Sequence, residues 1–357
     1  MKILDWYILK RYLLTFAVML LLFIPIGITV HLAEKIGKIL EKNVPFGEVM
    51  VYFLDFTIYF AHLLFPLFLF LSVIWFTSKL ANNTEIVAFL SSGVSFSRFL
   101  RPYLIGATIV AIISIILGLY LAPNASKGFN NFKYKYLSGK KTNNTTNVLK
   151  QINDNDIIYV TSFDTKNRTG VNFTLEHFEG QKMGYKISAS NIRYLEEDSA
   201  FVLRNYVKRI IGGNNDVLDI QRKKDTIFNF DLEDLTPEDY IAETLRYNEL
   251  VKFIDREEQR GSKYIGRYKL AKYQKWSLPV SVFILTIIAV AVSSRKRRGG
   301  MGVNLAFGIC IAMIFVFFDK IFGTLASQSD FSPLLAVWFP NIIFGILAII
   351  LLRNAKR

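Results

Sequence analysis

Residues 12–32 contain no Asp, Glu, Lys or Arg, and five further stretches of the chain are nearly as free of charge. A run of about 20 apolar residues crosses roughly 30 Å of hydrocarbon as a helix. No other feature narrows the fold as much. Inside a bilayer every backbone N–H and C=O must be satisfied within its own segment, so each run must be helical. The runs cover 12–32, 52–76, 99–122, 276–292, 303–322 and 334–352. Pro25 beside Gly27, Pro66 and Pro340 predict bends, while Pro102 and Pro279 fall in first turns, where proline is tolerated. Hydrophobic residues make up 52% of the 357, with 31 Phe, and their blocking into long runs marks a polytopic membrane protein. The first run is too long for a signal-peptide core and no small-x-small cleavage site follows it, so it reads as an uncleaved span.

Basic residues orient the spans. Lys2, Lys10 and Arg11 precede the first; Lys79, Arg98 and Arg101 lie between the second and third; Arg295-Lys296-Arg297-Arg298 lies between the fourth and fifth; Arg353, Lys356 and Arg357 follow the sixth. Six spans place all four sets on one side, which the positive-inside rule makes cytoplasmic, with both termini. The net charge of +14 is absorbed by such anchors and calls for no nucleic-acid partner.

Residues 123–273 differ sharply, being rich in Asn, Asp, Lys, Thr and Gly. Short β-prone runs recur at 157–161, 171–175, 185–189, 200–203, 206–211 and 217–220, separated by turn residues such as Gly212-Gly213-Asn214-Asn215. That spacing predicts an all-β sandwich or open barrel, and the orientation of the spans puts it on the side away from the cytoplasm. Residues 143–147 read as a disordered entry loop. From Thr236-Pro237-Glu238 the pattern turns helical, and a helical pair over 240–260 leads back to the fourth span. The expected plan is a transmembrane half over 1–122, a β-domain with a helical return over 123–273, and a second transmembrane half over 274–357.

Catalytic chemistry is missing. The chain has no G-x-x-x-x-G-K-[ST] phosphate loop and no G-x-S-x-G, and His31, His62 and His177 lack metal-ligand spacing. No cofactor, metal or catalytic residue is expected. His62 reads as a packed, hydrogen-bonded histidine inside a span, Asp319-Lys320 as an interfacial ion pair, and Pro340-Asn341 as a kink with an interhelical hydrogen bond. Cys310 stands alone, so no disulfide forms within the chain.

The polar loop between the second and third spans is more informative. Asn82 can cap a short helix with Glu85 three residues on, as in a capping box. Ile86, Phe89 and Leu90 fall on one face, and Gly93 sits where a C-cap glycine belongs. A helix over about 82–93 is too short to stand alone in water, so it lies against the membrane surface, its own spans or another protein. It is either a tight turn at the headgroups or a docking helix between a cytosolic motor and the spans.

Four places together resemble the lipopolysaccharide export permease family, the LptF/LptG proteins (YjgP/YjgQ), over essentially the whole chain. They are Ile3-Leu4-Asp5-Trp6-Tyr7-Ile8-Leu9-Lys10; the Glu85-centred loop from Asn83 to Gly93; Leu121-Ala122-Pro123 at the exit of the third span; and Lys275-Trp276-Ser277-Leu278-Pro279 with the later Trp338-Phe339-Pro340-Asn341. The family more often has Arg in place of Trp6 and of Lys275. The resemblance implies six transmembrane helices and a periplasmic β-jellyroll. It implies a permease that extracts lipopolysaccharide from the inner membrane of a Gram-negative bacterium and passes it through the β-domain. The implied partners are a separate cytoplasmic ABC ATPase dimer, a second permease chain (a paralogue or a second copy) and further periplasmic jellyroll proteins. Glu85, Ile86, Phe89 and Leu90 would then engage the ATPase. Lys35, Lys38 and Lys42, on one stripe at the outer end of the first span, would meet lipid A phosphates. Glu34 and Glu41 are placed to pair with Lys38, leaving Lys35 and Lys42 freer. A different reading is a membrane-anchored scaffold or signal transmitter whose β-domain binds a periplasmic partner.

Overall fold

The computed structural model describes residues 3–137, 144–164, 167–195, 200–212, 215–230, 241–262, 264–295 and 300–355. Lys2, Asn143, Gly213, Asn214, residues 236–240, Lys296, Arg297, Arg298, Lys356 and Arg357, to which expectations were attached above, lie outside the described residues. Among the described residues are six helices long and apolar enough to cross a membrane. The chain divides into two compact units: Met1–Phe129 with Ala242–Leu250 and Gly266–Arg357, and Asn130–Ile241 with Val251–Ile265.

In the first unit, α1 (Ile3–Glu41) and α2 (Phe46–Asn82) form a long hairpin. Asn43 turns it at a φ of 47°, its N–H bonding Leu40 O while the Val44 N–H returns to Ile39 O. Asparagine tolerates this left-handed position, and Pro45 then starts the next helix. A short α3 (Glu85–Ser91) follows, then α4 (Phe96–Ile116), a π-helical turn (Leu117–Leu121) and α5 (Ala122–Phe132). The second half supplies α8 (Ile265–Ser293), α9 (Gly300–Gln328) and α10 (Pro333–Ala355). Two shorter helices precede them, α6 (Ile241–Thr244) and α7 (Tyr247–Gln259).

The third span does not stop at Pro123; the helical path runs on to Leu137. The Ala122 N–H reaches back five residues to Leu117 O, and Pro123 has no N–H to give Gly118 O. The helix therefore widens for one turn instead of breaking. The stranded Gly118 carbonyl accepts from Lys275 Nζ of α8 at 2.9 Å. Two motifs that looked independent in the sequence thus meet, one in each transmembrane half.

The most buried span of the transmembrane core is α8, whose Val282, Leu285 and Ile288 share one buried cluster with Leu69, Val73 and Ile74 of α2, Tyr103 and Ala107 of α4, and Phe344 of α10. Lipid is as apolar as leucine, so close approach rather than water exclusion holds such helices together. Gly106 shows it: a Cβ there would lie 2.2 Å from Tyr12 Cε1, so α1 and α4 pack at a distance only glycine permits. By contrast, only 6% of the most apolar window of α1 is buried in the chain. Leu21, Leu22 and Ile26 lie open, an apolar face for lipid or another helix.

The second unit is built on one six-stranded antiparallel sheet, β1 (Asn144–Gln151), β2 (Asp156–Asp164), β3 (Thr169–Glu179), β4 (Lys182–Leu195), β5 (Ala200–Ile210) and β6 (Val217–Thr226), each pairing with the next. Residues 144–147, expected as a loop, form the start of β1. Asn144↔Asp164 through Thr146↔Ser162 give the open edge of β2 a partner, and Thr suits an edge strand. The runs at 200–203 and 206–211 are one strand, β5, bent at Asn205 with φ 49°. One face buries Ile158, Val160, Phe173, Ile187, Ile192, Phe201 and Leu203, with Phe228 and Phe230 packed onto it. A near-buried ion pair, Lys150 Nζ to Glu257 Oε1 at 3.2 Å, ties β1 to the end of α7.

Candidate functional site

The loop between α2 and α4 is held from both sides. Asn82 does not cap α3. It closes the last turn of α2, since the Asn83 N–H still bonds Lys79 O and the Thr84 N–H bonds Ala81 O. Thr84 turns the chain at φ 64° without a side-chain cap, so the expected capping box is absent. Glu85 begins α3 and its carboxylate is engaged instead by Asn83 Nδ2 at 3.2 Å and Tyr7 Oη at 3.2 Å. The C-terminal end is as expected: Gly93 at φ 83° sends its N–H to Leu90 O, and the Val94 N–H returns to Phe89 O. Both bonds satisfy end carbonyls of α3 in the double pattern that a left-handed glycine allows.

Ser95 then caps α4, its Oγ accepting the Arg98 N–H at 3.3 Å. The Arg98 guanidinium donates to Asp5 Oδ2 at 2.7 Å, and Asp5 is buried. So α3 lies between two ties to the first turns of α1, Tyr7 to Glu85 and Asp5 to Arg98. Arg11 also lies over the Tyr7 ring, 5.3 Å from its centroid. Sequence reasoning missed this clasp. Asp5 and Tyr7 were visible only as parts of a family motif, and Arg98 only as a topology charge.

The apolar residues of α3 divide. Ile86 is 2% exposed and belongs to the transmembrane core, and Phe89 packs partly on it, near Phe99. Leu90 and Val87 point away, 38% and 60% exposed. The open edge of α3 is therefore Val87–Leu90, with Glu85 at its start.

At the other end of α1 stand Lys35, Lys38 and Lys42. Lys38 and Lys42 are exposed and Lys35 is half-buried. Glu34 pairs with Lys35 at 3.5 Å, not with Lys38 as helical spacing suggested. Adjacent residues do not face each other on a helix, but long arms at an exposed helix end reach sideways, and so loose a pair contributes little.

Six membrane-length helices, an inserted antiparallel sheet and a clasped helix between the second and third spans define a multi-pass membrane protein with an inserted β-domain. The chain belongs to the LptF/LptG family, described as "Lipopolysaccharide export system permease LptF/LptG", whose sequence profile it matches over residues 6–354. It is similar to the Lipopolysaccharide export system permease protein LptG of Escherichia coli, at 20% identity over 299 residues that cover 81% of each chain. It is also similar to the protein of the same name from Haemophilus influenzae, at 22% identity over 315 residues and 82% of each chain.

Proposed function

We propose that the chain is one permease subunit of an ATP-driven lipopolysaccharide exporter of the inner membrane, with both termini and α3 cytoplasmic and the sheet periplasmic. The observation that carries this reading is α3 itself: a helix clasped to α1 and α4 that leaves an apolar edge uncovered beside a half-buried acidic start. Such a helix suits the groove of a soluble partner. The partner is an ABC ATPase dimer, because this chain has no phosphate-binding loop of its own. Glu85 meets a cation there, and Leu90 with Val87 fills an apolar depression. Ile86 and Phe89 anchor α3 to its own spans, so that a push on α3 reaches them.

The open apolar face of α1 supports pairing with a second permease chain around a shared lipid path. Lys35, Lys38 and Lys42, at the end of that helix, meet the phosphates of lipid A. The β-domain receives the acyl chains and hands them to periplasmic jellyroll proteins. The deciding experiment is co-purification from native membranes with candidate ATPase subunits. Wild type should retain an ATPase, and Glu85→Ala and Leu90→Ala should each weaken retention. A wild-type chain that retains no ATPase from native membranes would overturn the reading.

A further inference from the structure

A cavity of about 400 Å³ lies within the first unit, among α2, the π-helical turn, α8, α9 and α10. It is separate from the clasp around α3 and from the lysines of α1. Much of its wall is apolar, with Leu67, Phe70, Leu278 and Phe315 among its lining. Its polar groups come from five different elements. Lys275 of α8 and Asp319 and Lys320 of α9 supply charges of both signs, and Glu243 of α6 adds a carboxylate.

Two polar atoms in the lining are buried without a partner: His62 Nδ1 and Asn341 Oδ1. Asn341 is only 6% exposed, and its Nδ2 already donates to Val337 O at 3.1 Å. Its carbonyl oxygen is therefore an acceptor in want of a donor. Leaving such an atom dry costs about 1–3 kcal/mol. Lys275 gives one proton to Gly118 O and, as an ammonium with three, has two more to offer. The cavity's lining reaches the outer surface at Leu63 of α2 and Val316 of α9, which are 50% and 41% exposed, so the opening lies there. In a membrane that opening faces the acyl region.

We infer that this cavity binds the headgroup of a zwitterionic phospholipid, a phosphoethanolamine. Lys275 and Lys320 take the phosphate, and Asp319, Glu243 and Asn341 Oδ1 take the ammonium. The acyl chains leave between α2 and α9. Glu243 accepts only a long bond from the Tyr59 hydroxyl, at 3.4 Å, so an anionic headgroup without an ammonium would leave Asp319 and Asn341 Oδ1 unanswered, and a purely apolar ligand would answer none of the charges. A pocket of this size is in the usual range for a small polar ligand, about 300–1,000 Å³, but does not hold two acyl chains. This site does not depend on the export reading and stands or falls without it.

The test uses the full chain reconstituted in nanodiscs of mixed phosphatidylethanolamine and phosphatidylglycerol, then released into mild detergent for native mass spectrometry. Wild type should retain phosphatidylethanolamine in preference to phosphatidylglycerol. Lys275→Met should retain about tenfold less, the loss of one charge-assisted hydrogen bond. Lys275→Arg should keep the lipid and shows that the helix still packs. Asp319→Asn should erase the preference between the two lipids, and it decides the matter if Lys275→Met does not fold. Equal retention of both lipids by wild type, no retained lipid, or retention unchanged by both Lys275→Met and Asp319→Asn would each overturn the assignment.

Discussion

The Asp5 carboxylate and the Arg98 guanidinium meet at 2.7 Å although 93 residues separate them in sequence. Asp5 is almost wholly shielded, while Arg98 keeps about a third of its side chain exposed, so the pair is sheltered on one side only. Removing the cation leaves a shielded carboxylate without its guanidinium. Arg98→Ala is therefore expected to destabilise the detergent-solubilised chain by about 2–4 kcal/mol, and Arg98→Lys by less, because the bond is single rather than forked. Thermal melts followed by intrinsic fluorescence check this. Equal melting of wild type and Arg98→Ala would show that the pair forms without holding α1 to α4.

Ile86 and Leu90 lie one helical turn apart and should behave oppositely. Ile86→Ala opens a cavity in the transmembrane core and should cost about 2–4 kcal/mol of stability. Leu90→Ala should leave the melt unchanged within about 0.5 kcal/mol and yet weaken ATPase co-purification. If both residues affected only stability, the open edge of α3 would have no partner.

Gly93 ends α3 in a conformation that a β-branched side chain resists. Gly93→Val is expected to cost about 1–3 kcal/mol. Gly93→Asn should cost less, since Asn43 already occupies the same position at the end of α1. Hydrogen exchange at the amides of α3 reads the difference: faster in Gly93→Val and near wild type in Gly93→Asn. Identical exchange in the two would remove the glycine's role.

Asp219 on β6 carries an acid dependence. The Gln221 amide donates to it at 3.1 Å, the Lys224 ammonium at 3.2 Å, and these hydrogen bonds, that of Gln221 foremost, hold its carboxyl below the ordinary 3.8. A group depressed in the folded state contributes stability above its unfolded pKa and loses it as pH falls through the folded value. Melting temperature should therefore fall in acid below about pH 4, and less steeply in Asp219→Asn. A melt series at stepped acid pH compares the slopes, and parallel slopes would assign the acid loss to other carboxyls.

The spans were legible because a bilayer leaves the backbone one solution, and their apolar runs report it directly. The sheet's strands were legible as alternating runs between turn residues, though β1 was not. Its Asn-Thr stretch has no apolar alternation, and it is a strand only because β2 offers it an edge. In α3, helical spacing put Ile86, Phe89 and Leu90 on one face, but the structure buries Ile86 and leaves Leu90 open, and spacing cannot say which part of a short helix faces its own protein. That depends on where α1, α2 and α4 stand around it. The Lys275 to Gly118 bond was out of reach for the same reason: it depends on a proline's missing N–H 152 residues before the lysine. The clasp residues carried only the weak signal of acidic, phenolic and guanidinium groups near three helix starts.

The 39 residues of α1 make a rod of about 58 Å, nearly twice the hydrocarbon thickness of a bilayer. One tip of it is tied to α3 by Tyr7 and Glu85 and to α4 by Asp5 and Arg98, and the other carries Lys38 and Lys42. Tilting such a beam moves its two tips in opposite directions, so a movement of one tip becomes a displacement of the other with no relay of side-chain rearrangements between them. Pro25, where the helix has lost one backbone bond, is the natural place for the beam to flex, and the stiffness there sets how much of the movement arrives.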